Sequence, residues 1–372
     1  MDFINDWIRR HIADRQLVIL ILVMLAVALG FYLVGDIMTP VIAAVVIAYL
    51  LQGAINRLVR LSIPRGLAFW IVFLGAMTGF VLAAFGLVPV LVREVASLVQ
   101  QVPSMMTEAR RIMAELPARY PDVITPEQVN QIYTGVSAEV LRLGQQLLSV
   151  SFTSALTAIT VAVYMILVPF MVFFMVRDKD AILNWILGFL PKERELTNRV
   201  WRDIDGLIDR YIQGKVWEII IVGGVTYVTF LLLGLEYALL LAAVTGFSVL
   251  IPYIGAFVVS IPVAFVAFYQ FGFGMDFTWI IVAYIVIQVL DGNVLVPILF
   301  GEAVDLHPVA IIIAVLFFGG LWGFWGVFFA IPLATVFSAV IKAWPDLSEI
   351  EPELLSDPPA GGKEAREDQS AP

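Results

Sequence analysis

Long apolar runs separated by short polar segments dominate the first two thirds of the chain. Leu17–Val34 contains no charged residue, and an apolar run of this length predicts a helix that crosses the ~30 Å hydrocarbon core of a bilayer. Gly35, Asp36 and Pro40 predict a tight turn, after which Ile42–Leu51 begins a second, shorter span. Three more runs predict further spans: Leu67–Leu91, Val150–Val176 and Val216–Leu233.

Two charged segments between these runs are amphipathic rather than apolar. Arg93–Ser149 has apolar residues at heptad-like spacing and several prolines, which predict short helices. These helices either pack on each other or on the membrane, or they form a contact between subunits of a homo-oligomer, and both interpretations stay open. Arg177–Lys215 is basic with an apolar stripe, which predicts a helix with a solvated charged face. The heptad-like positions are Val136, Val140, Leu143, Leu147 and Val150, the prolines are Pro103, Pro117, Pro121 and Pro126, and the stripe is Val200, Ile204, Leu207 and Tyr211.

Two later apolar segments are interrupted by residues that break helices. Tyr237–Leu250 and Ala256–Phe271 are each short for a full crossing, and the pair Pro308–Gly319 and Val327–Lys342 flanks a glycine-rich stretch. Paired segments of this kind are a pointer to the binding site of a transporter. The lengths of these segments fit both re-entrant hairpins and full crossings of the membrane. The interrupting residues are Pro252, Tyr253 and Gly255 in the first segment, and Gly319, Gly320, Gly323, Gly326 and Pro332 in the second.

A short polar break lies between the two interrupted segments, inside the apolar run Phe277–Phe300. A carboxylate in the bilayer centre costs about 2.5–3.5 kcal/mol on insertion scales, so Asp291 is expected to face a cavity, a partner or a solute. The alternative is that Asp291 only caps a helix break. Gln288 shares its helical face, and Gly292 is expected to unwind the helix beside Asn293. The polar residues are Gln288, Asp291, Gly292 and Asn293, followed by Pro297.

Composition places the chain among membrane proteins. Of 372 residues, 61% are hydrophobic and 14% are charged, against about 45–50% and about 25% in soluble domains. The net charge of −9 comes mainly from the tail Asp346–Pro372, where eight acids and two bases give −6. We expect this tail to be disordered and solvated. Glu218, one turn inside an apolar run, is expected to snorkel to the interface.

The residues that enzymes of common classes require are missing. The chain has no cysteine, and His11 and His307 are its only histidines, so neither a metal site nor another cofactor is expected. Gly214 and Lys215 lack the glycine spacing of a phosphate-binding loop, and Gly246–Leu250 lacks the second glycine of a nucleophile elbow. We expect neither an enzyme nor a nucleic-acid-binding protein.

Positively charged loops set the expected orientation in the membrane. The N-terminal arm and the 52–66 loop are basic and are expected in the cytoplasm. Residues 93–149 carry five bases and six acids and are expected outside, whereas 177–215 carries eight bases and is expected inside. If the last two apolar segments enter the membrane and return to the side from which they came, the C-terminal tail stays in the cytoplasm. The expected parts are N-terminal spans (1–92), an extracytoplasmic helical region (93–149), one span (150–176), a basic cytoplasmic region (177–215), a transport core (216–344) and an acidic tail (345–372).

Four blocks of sequence resemble the autoinducer-2 exporter family of bacterial membrane proteins, and the match extends to about Trp344. The resemblance implies a multi-span transporter of the bacterial cytoplasmic membrane. Some members resemble exporters of the quorum-sensing signal autoinducer-2, and others are described as Na⁺ or Li⁺/H⁺ antiporters. Asp291 stands at a position that is often Glu in this family, and the shorter side chain changes its reach. The blocks are Asp209–Lys215, Ile251–Gly255 with Pro262, Asp291–Pro297 leading to Gly301 and Leu306–Pro308, and Gly319–Gly326 with Pro332.

The sequence therefore predicts an all-α polytopic membrane protein with broken or re-entrant helices in its C-terminal half and amphipathic helices outside the membrane. The leading hypothesis is a secondary transporter that exports a small polar solute by alternating access. The alternative is a Na⁺(Li⁺)/H⁺ antiporter, and a hypothesis of another class is an oligomeric scaffold that transports nothing. The predicted binding residues are Asp291, Asn293, Gln288, Pro252, Tyr253 and Gly255, and the predicted hinges are Gly292, Pro297, Gly319, Gly320, Gly323, Gly326 and Pro332.

Overall fold

The computed structural model describes residues 15–119, 125–128, 130–131, 133–135, 137–139, 142, 155–188, 195–301 and 306–342. Within these ranges the regular secondary structure is helical, without strands, which confirms the all-α prediction. Seven helices of the described chain are long and apolar enough to cross a membrane, so the prediction of a polytopic membrane protein is confirmed as well. They are Met38–Arg60, Arg65–Glu108, Ile159–Arg177, Gly206–Leu232, Ile254–Phe271, Met275–Phe300 and Pro308–Phe328.

Helix α1 runs from Arg15 to Arg60 without interruption. Its 46 residues extend over about 69 Å, more than twice the ~30 Å hydrocarbon core. The turn predicted at Gly35, Asp36 and Pro40 is therefore wrong. Lipid offers no partner for free backbone groups, so a helix that continues around Pro40 leaves fewer of them unpaired than a turn would. The expected orientation depended on this turn, and it stays a prediction.

A second long helical unit consists of α2 (Arg65–Leu82), a π-helical turn (Ala83–Leu87) and α3 (Val88–Arg119). The unit continues through Pro103 and Pro117, so the prediction that these two prolines separate short helices is wrong. Because α3 also passes residue 93, the change from apolar to charged sequence does not coincide with a helix end. The six-part division stays a prediction. The heptad-like positions from Val136 to Val150 lie outside the described residues.

The chain continues with α4 (Ala155–Arg177), the short α5 (Lys179–Leu187) and α6 (Glu195–Leu232). The basic segment and the following span are parts of one 38-residue helix, because α6 does not end near residue 216. Lys215 and Glu218 lie within this helix and are both buried. Two predictions are therefore wrong, namely that Lys215 belongs to a solvated face and that Glu218 snorkels to the interface.

The first interrupted segment forms a helical hairpin, in which a turn at residues 249–253 joins α7 (Ala238–Ser248) to α8 (Ile254–Phe271). The helix break predicted around Pro252 is confirmed. The chain reverses so tightly that a β-carbon on Gly255 would overlap the carbonyl group of Ser248, and only glycine fits there. With 11 residues, α7 is about 16 Å long and too short to cross a bilayer alone.

Between the two interrupted segments lies one continuous helical rod. It consists of α9 (Met275–Leu290), a π-helical turn (Asp291–Leu295) and α10 (Val296–Phe300). The prediction that Gly292 unwinds the helix beside Asp291 is therefore wrong. A π-helical turn shifts the register of the side chains while keeping backbone hydrogen bonds, which suits a helix surrounded by lipid.

The second interrupted segment also folds back on itself, through α11 (Pro308–Phe328) and α12 (Ala330–Lys342). Gly323 has non-helical backbone angles, φ 58° and ψ −134°. Gly326 lies against the carbonyl group of Phe318, although eight residues of straight helix would separate them by about 12 Å. The predicted interruption is confirmed, and the reversal falls at Gly323 while Gly319 and Gly320 remain helical.

A buried apolar cluster joins α6 to both folded-back segments. Tyr211 of α6 packs there with Leu250 after α7 and with Phe328 at the end of α11. The Tyr211 hydroxyl donates a hydrogen bond of 2.8 Å to the carbonyl oxygen of Phe328. The two interruptions, which are far apart in sequence, therefore meet on the same stretch of α6.

Candidate functional site

A cavity of about 360 Å³ lies where α6, the turn of the first hairpin and the π-helical turn after α9 come together. Most of its wall is apolar. Its amino, carboxyl and amide side chains come from two helical rods: Lys215 and Glu218 from α6, and Gln288 and Asp291 from the rod that begins with α9. The volume lies in the range of about 300–1,000 Å³ that is typical of small-molecule sites.

Asp291 and Gln288 present polar atoms to this cavity that nothing else in the described chain satisfies. The Oδ1 atom of Asp291 and the Nε2 atom of Gln288 are both buried and have no hydrogen-bond partner among the described residues. A buried polar atom without a partner costs about 1–3 kcal/mol. One acceptor and one donor left open beside the same cavity are what a bound polar ligand or water would complete.

Four more of the predicted residues also line the cavity. Pro252 and Tyr253 belong to the hairpin turn, Gly292 lies in the π-helical turn, and Pro297 follows it in α10. The structure thus brings two of the three predicted interruptions together in the wall of one cavity, namely the break around Pro252 and the polar break at Asp291.

Asn293 and Gly255 do not reach the cavity. The Asn293 side chain is exposed and donates a hydrogen bond of 2.9 Å to the carbonyl oxygen of Val289, one turn back in the helix. Without unwinding at Gly292, the side chain of Asn293 stays on another face of the rod. Gly255 packs against the backbone of Ser248 and shapes the hairpin turn.

The second folded-back segment contributes apolar side chains to the cavity wall, and none of its predicted hinge residues lines the cavity. Ile311 and Ile331 line the cavity. The predicted hinge residues of this segment lie outside the lining, and they are Gly319, Gly320, Gly323, Gly326 and Pro332.

Two charged residues that were not among the predicted binding residues form the most polar part of the wall. The Nζ atom of Lys215 lies 2.7 Å from Oε2 of Glu218, and the side chains are only 4% and 2% exposed. Lys215 also donates a hydrogen bond of 2.9 Å to the carbonyl oxygen of Val249, where α7 ends. Opposite charges three residues apart inside an apolar helix were the available signal in the sequence, since that spacing puts them on one face.

The charges in the cavity do not balance. Lys215 pairs with Glu218, and Asp291 is a second carboxyl group in the wall of the same cavity. The Lys215 ammonium lies 5.3 Å from the centre of the Phe300 ring, which closes that side of the cavity. With all three groups ionised, the cavity carries one negative charge in excess.

The turn at Tyr253 is a strained backbone feature in the cavity wall. The amide of Ile254 donates a hydrogen bond of 2.7 Å to the carbonyl oxygen of Pro252, and Tyr253 between them has φ 63° and ψ −48°. This is a γ-turn of the positive-φ kind, which is rare for a residue other than glycine. Strain of this kind concentrates at functional sites.

Close packing against neighbouring helices fixes the position of this turn. The Tyr284 hydroxyl of α9 donates a hydrogen bond of 2.6 Å to the carbonyl oxygen of Ala256 at the start of α8. On the other arm, a β-carbon on Gly246 would lie 2.8 Å from the carbonyl oxygen of Ile219, so α7 touches the backbone of α6. The hairpin is held from both sides, and its turn faces Asp291.

Apolar helices, folded-back segments and a buried charged cavity together are typical of multi-pass membrane transporters. The sequence matches the family model described as "AI-2E family transporter" over residues 20–346. The chain therefore belongs to the AI-2E transporter family, whose description names transport and not an enzymatic reaction.

Relatives in bacteria and archaea have names that agree with this membership. A protein named permease PerM in Escherichia coli (strain K12) is 43% identical over 346 residues, which are 93% of this chain and 98% of the relative. A protein named transport protein YueF in Bacillus subtilis (strain 168) is 28% identical over 309 residues, which are 80% of each chain. A protein named transport protein MJ1177 in Methanocaldococcus jannaschii is 31% identical over 157 residues, which are 41% of this chain and 46% of the relative.

Proposed function

We propose that this protein is a secondary transporter of the bacterial inner membrane that binds a small polar solute in the cavity beside Asp291 and exports it by alternating access. The observation that carries the proposal is the pair of buried, unpartnered atoms, Oδ1 of Asp291 and Nε2 of Gln288, in the wall of that cavity. A solute rich in hydroxyl groups, such as autoinducer-2, offers both the donor and the acceptor that this pair lacks.

Measurement of solute uptake by proteoliposomes tests the assignment of the site. The purified full chain is reconstituted, and candidate solutes are followed as radiolabelled compounds. Asp291→Asn is expected to reduce flux at least tenfold if the carboxylate makes a charge-assisted bond worth about 1.5–3 kcal/mol to the solute. Asp276→Asn is the matched control, because Asp276 starts the same helix but is exposed. A normally folded Asp291→Asn protein with unchanged flux of the same solute would contradict the site assignment.

A second candidate function is Na⁺(Li⁺)/H⁺ antiport, which the excess carboxylate in the cavity favours. Asp291 and Glu218 share a single cation, Lys215, so a sodium ion or a proton would restore the charge balance. In vesicles loaded with a pH-sensitive dye, addition of sodium would move protons only if the two ions are coupled. A sodium-dependent dye signal without flux of polar solutes would favour this alternative over the exporter.

Alternating access requires elements that change position, and we propose that the two folded-back segments are re-entrant hairpins. The first segment supports this proposal, because its arm α7 has 11 residues and is short for a crossing of ~30 Å. The chain has no cysteine, so single cysteines at the exposed Tyr253 and at Gly323 report access from each side. A further single cysteine at the other end of each arm completes the test: if a membrane-impermeant thiol reagent labels the two ends of one arm from opposite sides, that arm crosses fully.

The hypothesis of a scaffold predicts flux equal to that of empty liposomes for every solute and ion tested. The charged cavity gives a scaffold no evident use, because buried charges and unpaired polar groups cost folding free energy. The homo-oligomer expected from the heptad-like positions stays a prediction, and size-exclusion chromatography with light scattering measures it directly.

A further inference from the structure

A second cavity lies between α1, α2 and α4, and it is lined by other helices than the first. Its volume is about 420 Å³, and Arg65, Arg177 and Gln52 stand at its polar side. Phe69, Trp70 and the buried Val176 form an apolar wall. None of these residues lines the cavity beside Asp291.

The polar side of this cavity is strongly basic. Arg65 makes no ion pair with any described residue. Arg177 has a long ion-pair contact of 3.9 Å to Asp178, with both side chains exposed, and its guanidinium lies 5.5 Å from the centre of the Phe173 ring. Such an exposed pair contributes little, so both guanidinium groups remain available to an anion. The planar guanidinium group matches the two oxygens of a phosphate. The cavity also opens at the start of α2, where the positive end of the helix dipole adds to the charge of the two arginines.

The opposite wall suits a hydrocarbon chain. The rings of Phe69 and Trp70 lie 5.4 Å apart, and both contact Phe173 of α4, at 5.6 and 6.1 Å between ring centres. The side chain of Trp70 is 49% exposed, which is typical of tryptophan at the boundary between bilayer and water. A ligand that fits both walls has an anionic end and an apolar body.

The cavity also lies at the level where apolar helices end. Two candidate spans, Met38–Arg60 and Ile159–Arg177, end beside it, and a third, Arg65–Glu108, begins there. Basic pockets between membrane helices at this depth recognise phospholipid head groups. We propose that this cavity binds one anionic phospholipid, with its phosphate between Arg65 and Arg177 and its acyl chain along Phe69 and Trp70.

A lipid explains both walls, whereas a free phosphate ion would leave the aromatic wall unused. Native mass spectrometry of the delipidated full chain separates the two ligands. The protein receives phosphatidylglycerol, phosphatidylcholine or inorganic phosphate, and the bound fraction is measured for each. The test variant is Arg65→Gln/Arg177→Gln. The matched control is Arg60→Gln/Arg210→Gln, which removes the same charge from two exposed arginines outside the cavity.

We expect the wild type to bind phosphatidylglycerol more tightly than phosphatidylcholine. The Arg65→Gln/Arg177→Gln variant should bind phosphatidylglycerol about thirtyfold more weakly, and the control variant should resemble the wild type. Equal losses in both variants would show diffuse surface charge and overturn the site. Displacement of the lipid by inorganic phosphate, or equal binding of both lipids by the wild type, would also overturn it. The exposed positions of all four arginines keep folding intact, and the melting temperature from tryptophan fluorescence checks this.

Discussion

Replacement of Lys215 by methionine tests the account of buried charge most directly. The Nζ atom of Lys215 lies 2.7 Å from Oε2 of Glu218, and both side chains are almost fully buried. Removing one partner of such a pair typically costs about 3–5 kcal/mol, because the remaining charge stays buried and unpaired. In Lys215→Met two carboxyl groups remain, Glu218 and Asp291, so we expect a loss of unfolding free energy at the upper end of that range.

The structure predicts that the two members of the pair are not equivalent. In Glu218→Gln, Lys215 keeps its hydrogen bond to the carbonyl of Val249 and the nearby charge of Asp291. The cost of Glu218→Gln should therefore be smaller than that of Lys215→Met. The double variant Lys215→Met/Glu218→Gln should be more stable than Lys215→Met alone, because a neutral pair leaves only one carboxyl group in the cavity.

Unfolding in mixed micelles of mild detergent and SDS, followed by the fluorescence of the nine tryptophans, measures these differences. Glu108→Gln is the matched control, since Glu108 forms an exposed ion pair of 2.6 Å with Arg111 at the same three-residue spacing. That variant should be indistinguishable from the wild type. The reasoning is refuted if Lys215→Met is no less stable than Glu108→Gln, or if the double variant loses the sum of the two single effects.

Three other predictions follow from the turns around the cavity. Gly255→Ala should lower the yield of monodisperse protein, because the new methyl group would overlap the carbonyl of Ser248. Gly224→Ala is the control: its methyl group meets open space on α6, so this variant should be neutral or more stable by up to about 1 kcal/mol. Tyr211→Phe removes a buried hydrogen bond of 2.8 Å and should cost about 1–2 kcal/mol in the same micelle titration. Tyr253→Gly should relieve positive-φ strain and stabilise by about 1 kcal/mol, yet reduce solute flux in proteoliposomes. Unchanged flux would show that the Tyr253 side chain is not part of the site.

The sequence was sufficient to find Asp291 and Gln288 but not Lys215 and Glu218. The first two stand out as polar groups in the middle of an apolar run, so the cost of burial points to them directly. Lys215 and Glu218 stand at the edge of an apolar run, where solvation is the cheaper arrangement. Their spacing places them on one face of the helix, but their burial depends on the contact of α7 with α6 near Gly246, a tertiary contact that the spacing does not predict.

Helix breaks were predicted correctly in the two folded-back segments, and incorrectly at isolated prolines and at Gly292. Pro40, Pro103 and Pro117 all lie inside helices, because one lost hydrogen bond is a small defect in a helix of more than thirty residues. Gly323 does break its helix, since it adopts φ 58°, and Gly255 permits a backbone approach that no other residue allows. In this chain a reversal requires a positive φ or a close approach, and proline alone supplies neither.

Several unfavourable features of this fold border one cavity. A buried ion pair, two unpartnered polar atoms and a strained turn at Tyr253 all border the cavity beside Asp291. Each of them lowers the stability of the folded protein, and they come from three different stretches of the chain. A protein that needed only to span the membrane would gain stability from leucine or glycine at these positions. Their convergence on one cavity is explained if the cavity binds a polar solute or ion that satisfies the free groups for part of each transport cycle.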